Sequence, residues 1–479
     1  MVGSSDGGIN IDVPAHAPDV ECATRTASPE PHGMRRIALV VFCLILLGAI
    51  EAMSQEPVSP HAGGTDPNLP QPDSKAAALS PAPQLPSQDS ETVKNKKYTT
   101  PDLPDPFAKW TRYHSEWFSI GLGLAALVDY DYFSQDANSK TQIGAQESQW
   151  DLRSMRFIAS GSLGPSSHRM SFLASYEYNG FDAADNGKKS WDFTDLFATF
   201  PAGKLGAFTY GKQKETFGYE MVGDAPFLYQ SERNLTPFFT SRNVGLTLAN
   251  SVLKKRMTYD VGWFNDWYVK GIPFDQSGNQ FTSRVTGLLS INEDGSKYWH
   301  VAVSGRYAGA TAGTVQLRYR PLGNVGGYFL DTGKIRGTGQ MDFGLETLWN
   351  YNSFSVAAEY IRAFINGTQS ASPQFYGFYV AASWVLTGEH HPYDRNVGYA
   401  RRIIPQHHFG AVELTAMFGR NDLDDKSIHG GISDKSFVGV NWLLNRRLKL
   451  GVAGGVVTLD RAGLNGTTWI VQPRIQYIF

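Results

Sequence analysis

Cysteine is nearly absent from this sequence, since the chain of 479 residues contains only Cys22 and Cys43. Both lie near the N-terminus, so the long C-terminal part of the chain carries none. A fold that depends on a disulfide framework is therefore excluded for that part. A cysteine-free chain also suits an oxidising compartment of the cell envelope.

Long hydrophobic runs are missing as well. Hydrophobic residues make up 42% of the chain, and its mean hydropathy is -0.29. The one apolar run, residues 37–49, is shorter than the ~20 residues that a membrane-spanning helix needs. A helical membrane protein is thus excluded. The net charge of -2 gives no basic surplus for binding nucleic acid, and no such partner is expected.

Several common catalytic and cofactor-binding motifs are absent. The chain has no phosphate-binding P-loop, no CxxC pair and no HExxH helix, and no cofactor is predicted. A barrel hydrolase could still assemble a site from distant strands. His390, His391, His407 and His408 could together bind a transition metal. Such histidines are more often ordinary loop residues, so no metal site is predicted.

Aromatic residues, by contrast, are plentiful: the chain has 22 Tyr, 28 Phe and 11 Trp. In residues 469–479 apolar or aromatic side chains alternate with Gln472, Arg474 and Gln476, interrupted by Pro473 and ending on Phe479. A period of two places these sets on opposite faces of a β-strand. A transmembrane barrel needs such strands, because lipid covers one face and water the other. A C-terminal Phe is also typical of bacterial outer-membrane barrels.

The N-terminal part divides into three predicted pieces. Residues 34–54 combine basic residues, a short apolar run and small residues, as expected for a signal peptide. Residues 1–33 are interpreted as an upstream extension ahead of the true start at Met34. Residues 55–109 are rich in Pro, Ser, Ala and Asp and are expected to form a disordered periplasmic linker. Residues 110–479 then form the barrel domain.

Alternating segments in residues 110–479 predict an all-β fold, a transmembrane antiparallel β-barrel of about 16 strands. The side chains predicted to face lipid include Trp299, Val303, Val315, Leu317, Tyr319, Met341 and Phe343. Charged and polar residues between them predict a water-filled interior rather than a filled core. An even strand number keeps both chain ends in the periplasm, so that odd-numbered strands run outward.

The connection after the fifth predicted strand, residues 214–241, is long and rich in apolar residues. It contains Pro226, Phe227, Pro237, Phe238 and Phe239. Because such a loop would be poorly solvated in bulk water, we expect it to fold into the barrel and constrict it. The alternative is a packed surface loop over the rim.

Several segments together resemble the phosphate-selective porin O/P family. They occur in the family's order, and they comprise residues 211–218, Glu232 with Arg233, Arg242 with Gly245, and residues 386–389, 409–414 and 441–445. The resemblance implies a sixteen-stranded barrel, a homotrimer in the bacterial outer membrane, and diffusion of anions such as phosphate or polyphosphate. It places residues 386–389 at the end of the thirteenth strand.

The predicted pore-lining and solute-binding residues are cations at inward positions or near the constriction loop. They are Lys212, Lys214, Arg233, Arg242, Arg284, Arg306, Arg318, Arg320 and Arg474. Glu346, Glu359, Glu413 and Asp342 share the inward face, and the constriction loop has no Lys or Arg between Lys214 and Arg233. The mixture of signs predicts only a modest preference for anions.

The predicted function is passive diffusion of small hydrophilic solutes through an outer-membrane porin, which is not an enzyme. The alternative is an outer-membrane barrel enzyme such as a lipase, whose His, Ser and acid would cluster on the rim. A secreted soluble β-sandwich would leave the repeated apolar faces of so many strands unexplained.

Overall fold

The computed structural model describes residues 111–165, 169–178, 191–367, 372–425 and 427–479. The predicted upstream extension (1–33), signal peptide (34–54) and linker (55–109) lie outside these described residues.

The described residues form a closed antiparallel β-barrel of 16 strands, as the sequence predicted. Each strand pairs with the next one along the chain, and the last pairs with the first, where Ala125 faces Ile478. Closure leaves no unpaired edge, so every strand can satisfy its backbone hydrogen bonds within a bilayer.

The barrel strands are numbered in chain order. They are β1 Phe118–Gln135, β2 Gln149–Leu163, β3 Met170–Tyr178, β4 Trp191–Pro201, β5 Ala207–Lys214, β6 Arg242–Val252, β7 Met257–Asn265, β8 Asn279–Ile291, β9 Lys297–Gly309, β10 Ile335–Tyr351, β11 Phe354–Gly367, β12 Gln374–Val385, β13 Ala411–Asp425, β14 Ile428–Leu443, β15 Leu448–Arg461 and β16 Leu464–Ile478.

Helices are few and short. They are α1 Ala137–Ile143, α2 Tyr219–Val222 and α3 Trp267–Lys270, with 3-10 turns at Gly203–Leu205, Ala225–Phe227, Thr236–Phe238 and Phe274–Gln276. Within the described residues, no helix has both the length and the apolar character to cross a membrane. Short strands also pair outside the barrel cycle: Arg112–His114 extends along β1, and Tyr393–Asp394 pairs with Tyr399–Ala400.

The alternation of faces is confirmed on most strands. On β9 the Trp299 side chain is 47% exposed on the outer face, whereas the neighbouring His300 is 0% exposed on the inner face. On β10 Met341 and Phe343 are exposed, and Asp342 between them is buried. The inner face therefore carries the charges and the outer face the apolar side chains, as lipid requires.

One predicted strand is wrong and one strand was missed. The segment that begins at Thr314 forms only two-residue strands, Thr314–Val315 and Arg318–Tyr319, inside a long connection. Leu317 and Tyr319, predicted to face lipid, are almost fully buried inside the barrel. β15 was missed because its sequence, LKLGVAGGVVTLDR, lacks polar residues at several inner positions. The two errors cancel in the total of 16 strands.

These errors change which end of the barrel carries which connection. We call the end where β1 begins and β16 ends the terminal end, and the other the far end. Without a strand at Thr314, residues 386–410 follow the twelfth strand and not the thirteenth. They therefore lie at the terminal end, so the assignment of residues 386–389 to the end of a thirteenth strand is wrong.

The interior is not filled with water throughout. Phe217, Met221 and Phe238 from residues 215–241 pack with Leu317 and Phe329 from residues 310–334 in one buried apolar cluster. Inward side chains of the wall join this cluster, among them Leu348, Ile361, Phe375 and Phe437. Strands β10–β14 thus face an apolar core, which corrects the prediction of an open lumen.

The membrane-facing role of β15 can be tested at Val452, whose side chain is 51% exposed on the outer face. Val452→Lys should lower the free energy of unfolding by up to about 2–4 kcal/mol, because it places a charge in lipid. The measurement is urea unfolding in lipid vesicles, followed by heat-modifiable gel migration. Asp460→Lys, near the far end of the same strand, is the control. Equal stability of both variants would show that β15 is not a lipid-facing strand.

Candidate functional site

Residues 215–241, the constriction loop, cross the lumen and dock on the opposite wall. The Glu359 carboxylate of β11 accepts hydrogen bonds from the backbone N–H groups of Tyr219 and Glu220, at 2.9 and 3.1 Å. These are unpaired donors of the first turn of α2, which a carboxylate satisfies well. Gly218 lies so close that a Cβ atom there would come within 2.3 Å of Glu359 Oε1. The inward fold predicted from sequence is therefore confirmed.

The same loop is closed on itself by a buried carboxylate. Glu220, at 0% exposure, accepts hydrogen bonds from the backbone N–H groups of Asn234 and Leu235, at 2.8 and 2.7 Å. The Asn234 carbonyl in turn accepts from Asn421 Nδ2 of β13 at 2.9 Å. Gly377 on the neighbouring strand leaves room for Leu235 and Phe238, which a Cβ atom would contact at 2.8 and 2.5 Å.

A second anchor holds the loop to the β1, β2 and β16 side of the barrel. Glu232 lies between Arg153 of β2 and Arg474 of β16, with nitrogen–oxygen distances of 2.8 and 2.5 Å. Arg474 also pairs with Asp129 of β1 at 2.6 Å. All four side chains are buried, so these charges are stabilised by one another rather than by water.

Two further segments enter the barrel and meet the constriction loop. The far-end segment, residues 310–334, reaches it where Tyr319 Oη donates to Asn234 Oδ1 at 3.1 Å. The terminal-end segment, residues 386–410, enters from the opposite direction, and its His391 ring lies 4.7 Å from that of Tyr229. Three chain segments therefore occupy part of the lumen and meet inside it.

One remaining space is a crevice between the constriction loop and strands β1–β3, β5, β6 and β16. It encloses about 710 Å³ of empty volume, part of which is open to solvent. Its basic lining residues outnumber its acidic ones: Arg153, Arg156, Lys214, Arg233, Arg242 and Arg474, against Glu177, Asp224 and Glu232. We call this space the upper crevice.

Ion pairs tie several of these charges together. Arg156 contacts Glu177 at 2.6 Å, and Arg242 contacts Asp195 at 2.9 Å. Lys214 donates to Asp224 at 2.9 Å and also to the carbonyls of Val222 and Gly223. Although burial opposes ionisation, Lys214 and Arg401 hold the pKa of Asp224 at about 2. The crevice thus contains paired charges with a surplus of cations.

A second crevice of about 420 Å³ lies towards the terminal end. Its ionisable lining residues are Arg402, Arg446, Arg447, Lys449, His391 and Glu413. Burial and, to a smaller extent, the neighbouring Arg446 and Arg447 lower the pKa of Arg402 to about 10. We call this space the lower crevice. Pro226 and Phe227 line both crevices, so the two adjoin at the constriction loop.

The structure brings only some of the predicted site residues together. Lys214, Arg233, Arg242 and Arg474 line the upper crevice. Arg233 donates to the carbonyls of Glu220 and Gly223, so it also braces the loop.

The other five predicted cations lie elsewhere. Arg284 pairs with Glu346 at 2.5 Å and donates to the carbonyls of Val397 and Gly398, which fixes the terminal-end segment. Arg306 pairs with Glu215 at 2.7 Å and with Asp342 at 3.1 Å.

Arg318 and Arg320 both lie over the ring of Tyr328, at 4.2 and 4.0 Å from its centroid. Lys212 faces Leu196 across the strand pair, and Leu196 is exposed on the outer face. The Lys212 ammonium contacts Asp192 at 3.2 Å and the ring of Tyr268 at 5.0 Å. It lines neither crevice.

Sequence reasoning missed several lining residues. Arg153 lies beside the register shift between β1 and β2, which breaks the simple alternation. Lys449 belongs to the missed strand β15, while Arg446 and Arg447 occupy the preceding turn. Arg402 comes from a segment that was assigned to the wrong end. The one sequence signal among these residues is the basic cluster at 446–449, which could have indicated Arg446, Arg447 and Lys449.

No group of three or more His, Cys, Asp and Glu that could hold a metal ion occurs in the described part of the chain. His391 instead lies beside Glu413, at 2.9 Å, and Ser383, at 3.2 Å. The His407 ring stacks on that of Phe409.

A sixteen-stranded barrel narrowed by an inward loop and lined by charged crevices is the architecture of a porin. A family model described as "Phosphate-selective porin O and P" matches residues 122–479. The chain belongs to this family, as the sequence resemblance indicated. It is a porin of the bacterial outer membrane, a channel through which small solutes diffuse passively.

Two structures of OmpT of Vibrio cholerae support the fold. OmpT of Vibrio cholerae, folded in vitro, superposes with a TM-score of 0.51 at 9% identity, covering 77% of this chain and 99% of its own. OmpT expressed in the outer membrane gives 0.50 at 8% identity, covering 77% and 100%. An anion-selective porin from Comamonas acidovorans gives 0.49 at 12% identity, covering 76% and 100%. Among curated proteins, no sequence matches this chain.

The anchor at Glu232 gives a direct test of how the constriction loop is held. Glu232→Gln should lower the free energy of unfolding by about 3–5 kcal/mol, because it leaves Arg153 and Arg474 buried with one fewer carboxylate. Denaturation in detergent measures this loss, and single-channel recordings should show added current noise from the loosened loop. Glu293→Gln, which alters an exposed carboxylate, is the control. If Glu232→Gln has the stability and the current noise of the wild type, this network does not hold the loop.

Proposed function

We propose that solutes pass through the two adjoining crevices and that this path has a modest preference for anions. The observation that carries the proposal is the surplus of basic side chains in both crevices, which meet at Pro226 and Phe227. Charges along a narrow passage with low-dielectric walls focus their field into it and raise the local concentration of counter-ions. The passage should therefore collect anions from either end.

The preference is expected to be modest because carboxylates share the upper crevice. Glu177, Asp224 and Glu232 each pair with a basic residue, which reduces the charge that a passing ion experiences. A tight phosphate site would need several basic groups free of such partners. We propose that phosphate and polyphosphate, the solutes implied by the family, pass without being held tightly.

We propose different roles for the nine predicted site residues. Lys214, Arg233, Arg242 and Arg474 act on the solute from the upper crevice. Arg284, Arg306, Arg318 and Arg320 position the inward segments. For Lys212 we propose no contact with solute, because its register and its contacts with Asp192 and Tyr268 favour the outer face.

We also propose roles for the residues before the barrel, an oligomeric state and the absence of enzymatic activity. Residues 34–54 would be removed as a signal peptide, residues 1–33 would be an upstream extension, and residues 55–109 would form a periplasmic linker. The family resemblance supports a homotrimer and a channel without enzymatic activity. N-terminal sequencing of the mature protein tests the signal peptide, and sedimentation in detergent tests the homotrimer.

Lys214 and Lys212 form a matched pair for testing the conduction path. Lys214→Gln removes a crevice cation and leaves Asp224 less balanced, so the ratio of chloride to potassium permeability should fall. An interaction of about 1 kcal/mol between the ion and this charge corresponds to about a fivefold change at low salt. Lys212→Gln should leave the ratio unchanged. Reversal potentials in a salt gradient measure both variants.

Salt dependence provides a second criterion for the same experiment. The difference between wild type and Lys214→Gln should shrink as salt rises, since screening acts over about 10 Å at 0.1 M. Cation preference in the wild type would contradict the proposed path. An equal effect of both lysine variants would contradict the assignment of Lys212 to the outer face.

A further inference from the structure

Phe227 occupies the boundary between the upper and lower crevices. It is one of two residues that line both spaces, and its ring is 8% exposed. It packs in a small apolar cluster with Ala125, Ile158 and Ile478, which belong to the wall strands β1, β2 and β16. The boundary between the two basic crevices is therefore apolar on both the loop side and the wall side.

The position of the ring is fixed from several directions. Ala125 faces Ile478 across β1 and β16, while Ile158 of β2 faces Gly123, two residues before Ala125, so the apolar wall spans three neighbouring strands. Lys449 Nζ donates to the carbonyl of Pro226 at 3.0 Å, which holds the residue preceding the ring. The Arg402 guanidinium lies 5.6 Å from the ring centroid. The ring is thus braced from the wall and from the terminal-end segment.

From this geometry we propose that Phe227, facing Ala125 and Ile478, forms an apolar waist that selects among anions by their hydration. A hydrophobic constriction disfavours water, so an ion crossing it must shed part of its hydration shell. Basic residues on either side attract all anions, but the waist favours those that lose water easily. Arg402 reinforces this effect, because a guanidinium group is itself weakly hydrated and lies against the ring.

The inference rests on the proposed conduction path and adds the class of solute that the path favours. Weakly hydrated monovalent anions, such as thiocyanate or nitrate, should cross the waist more readily than strongly hydrated phosphate. The positive crevices set the sign of the transported charge. The waist sets the order among ions of that sign.

The test uses two substitutions of nearly equal size that differ in polarity. Phe227→Gln offers hydrogen bonds at the waist, whereas Phe227→Met keeps it apolar. Relative to Phe227→Met, Phe227→Gln should raise phosphate conductance by about fivefold, the factor corresponding to one net hydrogen bond. The ratio of thiocyanate to phosphate permeability should fall by a similar factor. Both ratios come from bi-ionic reversal potentials and single-channel currents of the full-length porin.

Three outcomes decide the matter. If Phe227→Gln and Phe227→Met behave alike and both conduct more than the wild type, the residue limits size alone and selection by hydration is wrong. If neither variant differs from the wild type, Phe227 is not on the path. If the wild type shows no preference for anions, the proposed function itself is wrong. Should Phe227→Gln fail to assemble, as judged by heat-modifiable migration, Phe227→Tyr supplies a hydroxyl group on the same ring for the same comparison.

Discussion

The path through this barrel depends on how the constriction loop is held against one wall. Glu359 of β11 binds the backbone N–H groups at the start of α2, and Glu220 binds those of Asn234 and Leu235. These buried carboxylates replace water for backbone groups that the loop brings into the lumen. Since the loop leans on β11–β13, its apolar side chains fill that half, and the upper crevice lies beside β1–β3, β5, β6 and β16.

Charge pairing explains why a barrel with many inward arginines is expected to be only weakly selective. Arg284 and Arg306 are bound to Glu346, Glu215 and Asp342. In a low-dielectric interior an unpaired guanidinium would be costly, so most of these cations are partnered. The cations then act on the chain itself by positioning the inward segments, and only the surplus along the two crevices remains to act on a solute.

The sequence predicts the barrel well, because lipid imposes a period of two on every strand that it covers. Prediction from the sequence fails for residues that do not face lipid. The alternation at residues 314–320 comes from a segment that packs on other inward segments, so Leu317 and Tyr319 are buried by protein and not by lipid. β15 carries Gly and Val at inner positions and shows little alternation. Which cations line a crevice depends on loop packing as well as on strand register: Lys214 contacts the constriction loop, whereas Lys212 pairs with Leu196 and contacts Asp192.

The same asymmetry connects the fold to the proposed selection among solutes. Because one half of the lumen is filled, the wall opposite the loop lines the proposed path. Single residues of this wall should therefore affect conduction. Ala125 and Ile478 meet in register where the first and last strands close the barrel, and Phe227 faces them. The closure seam, which exists because a sheet in lipid can have no free edge, therefore also supplies one side of the waist. A change at this seam would affect barrel closure and permeation together, whereas a change at Arg402 would reach only the passage.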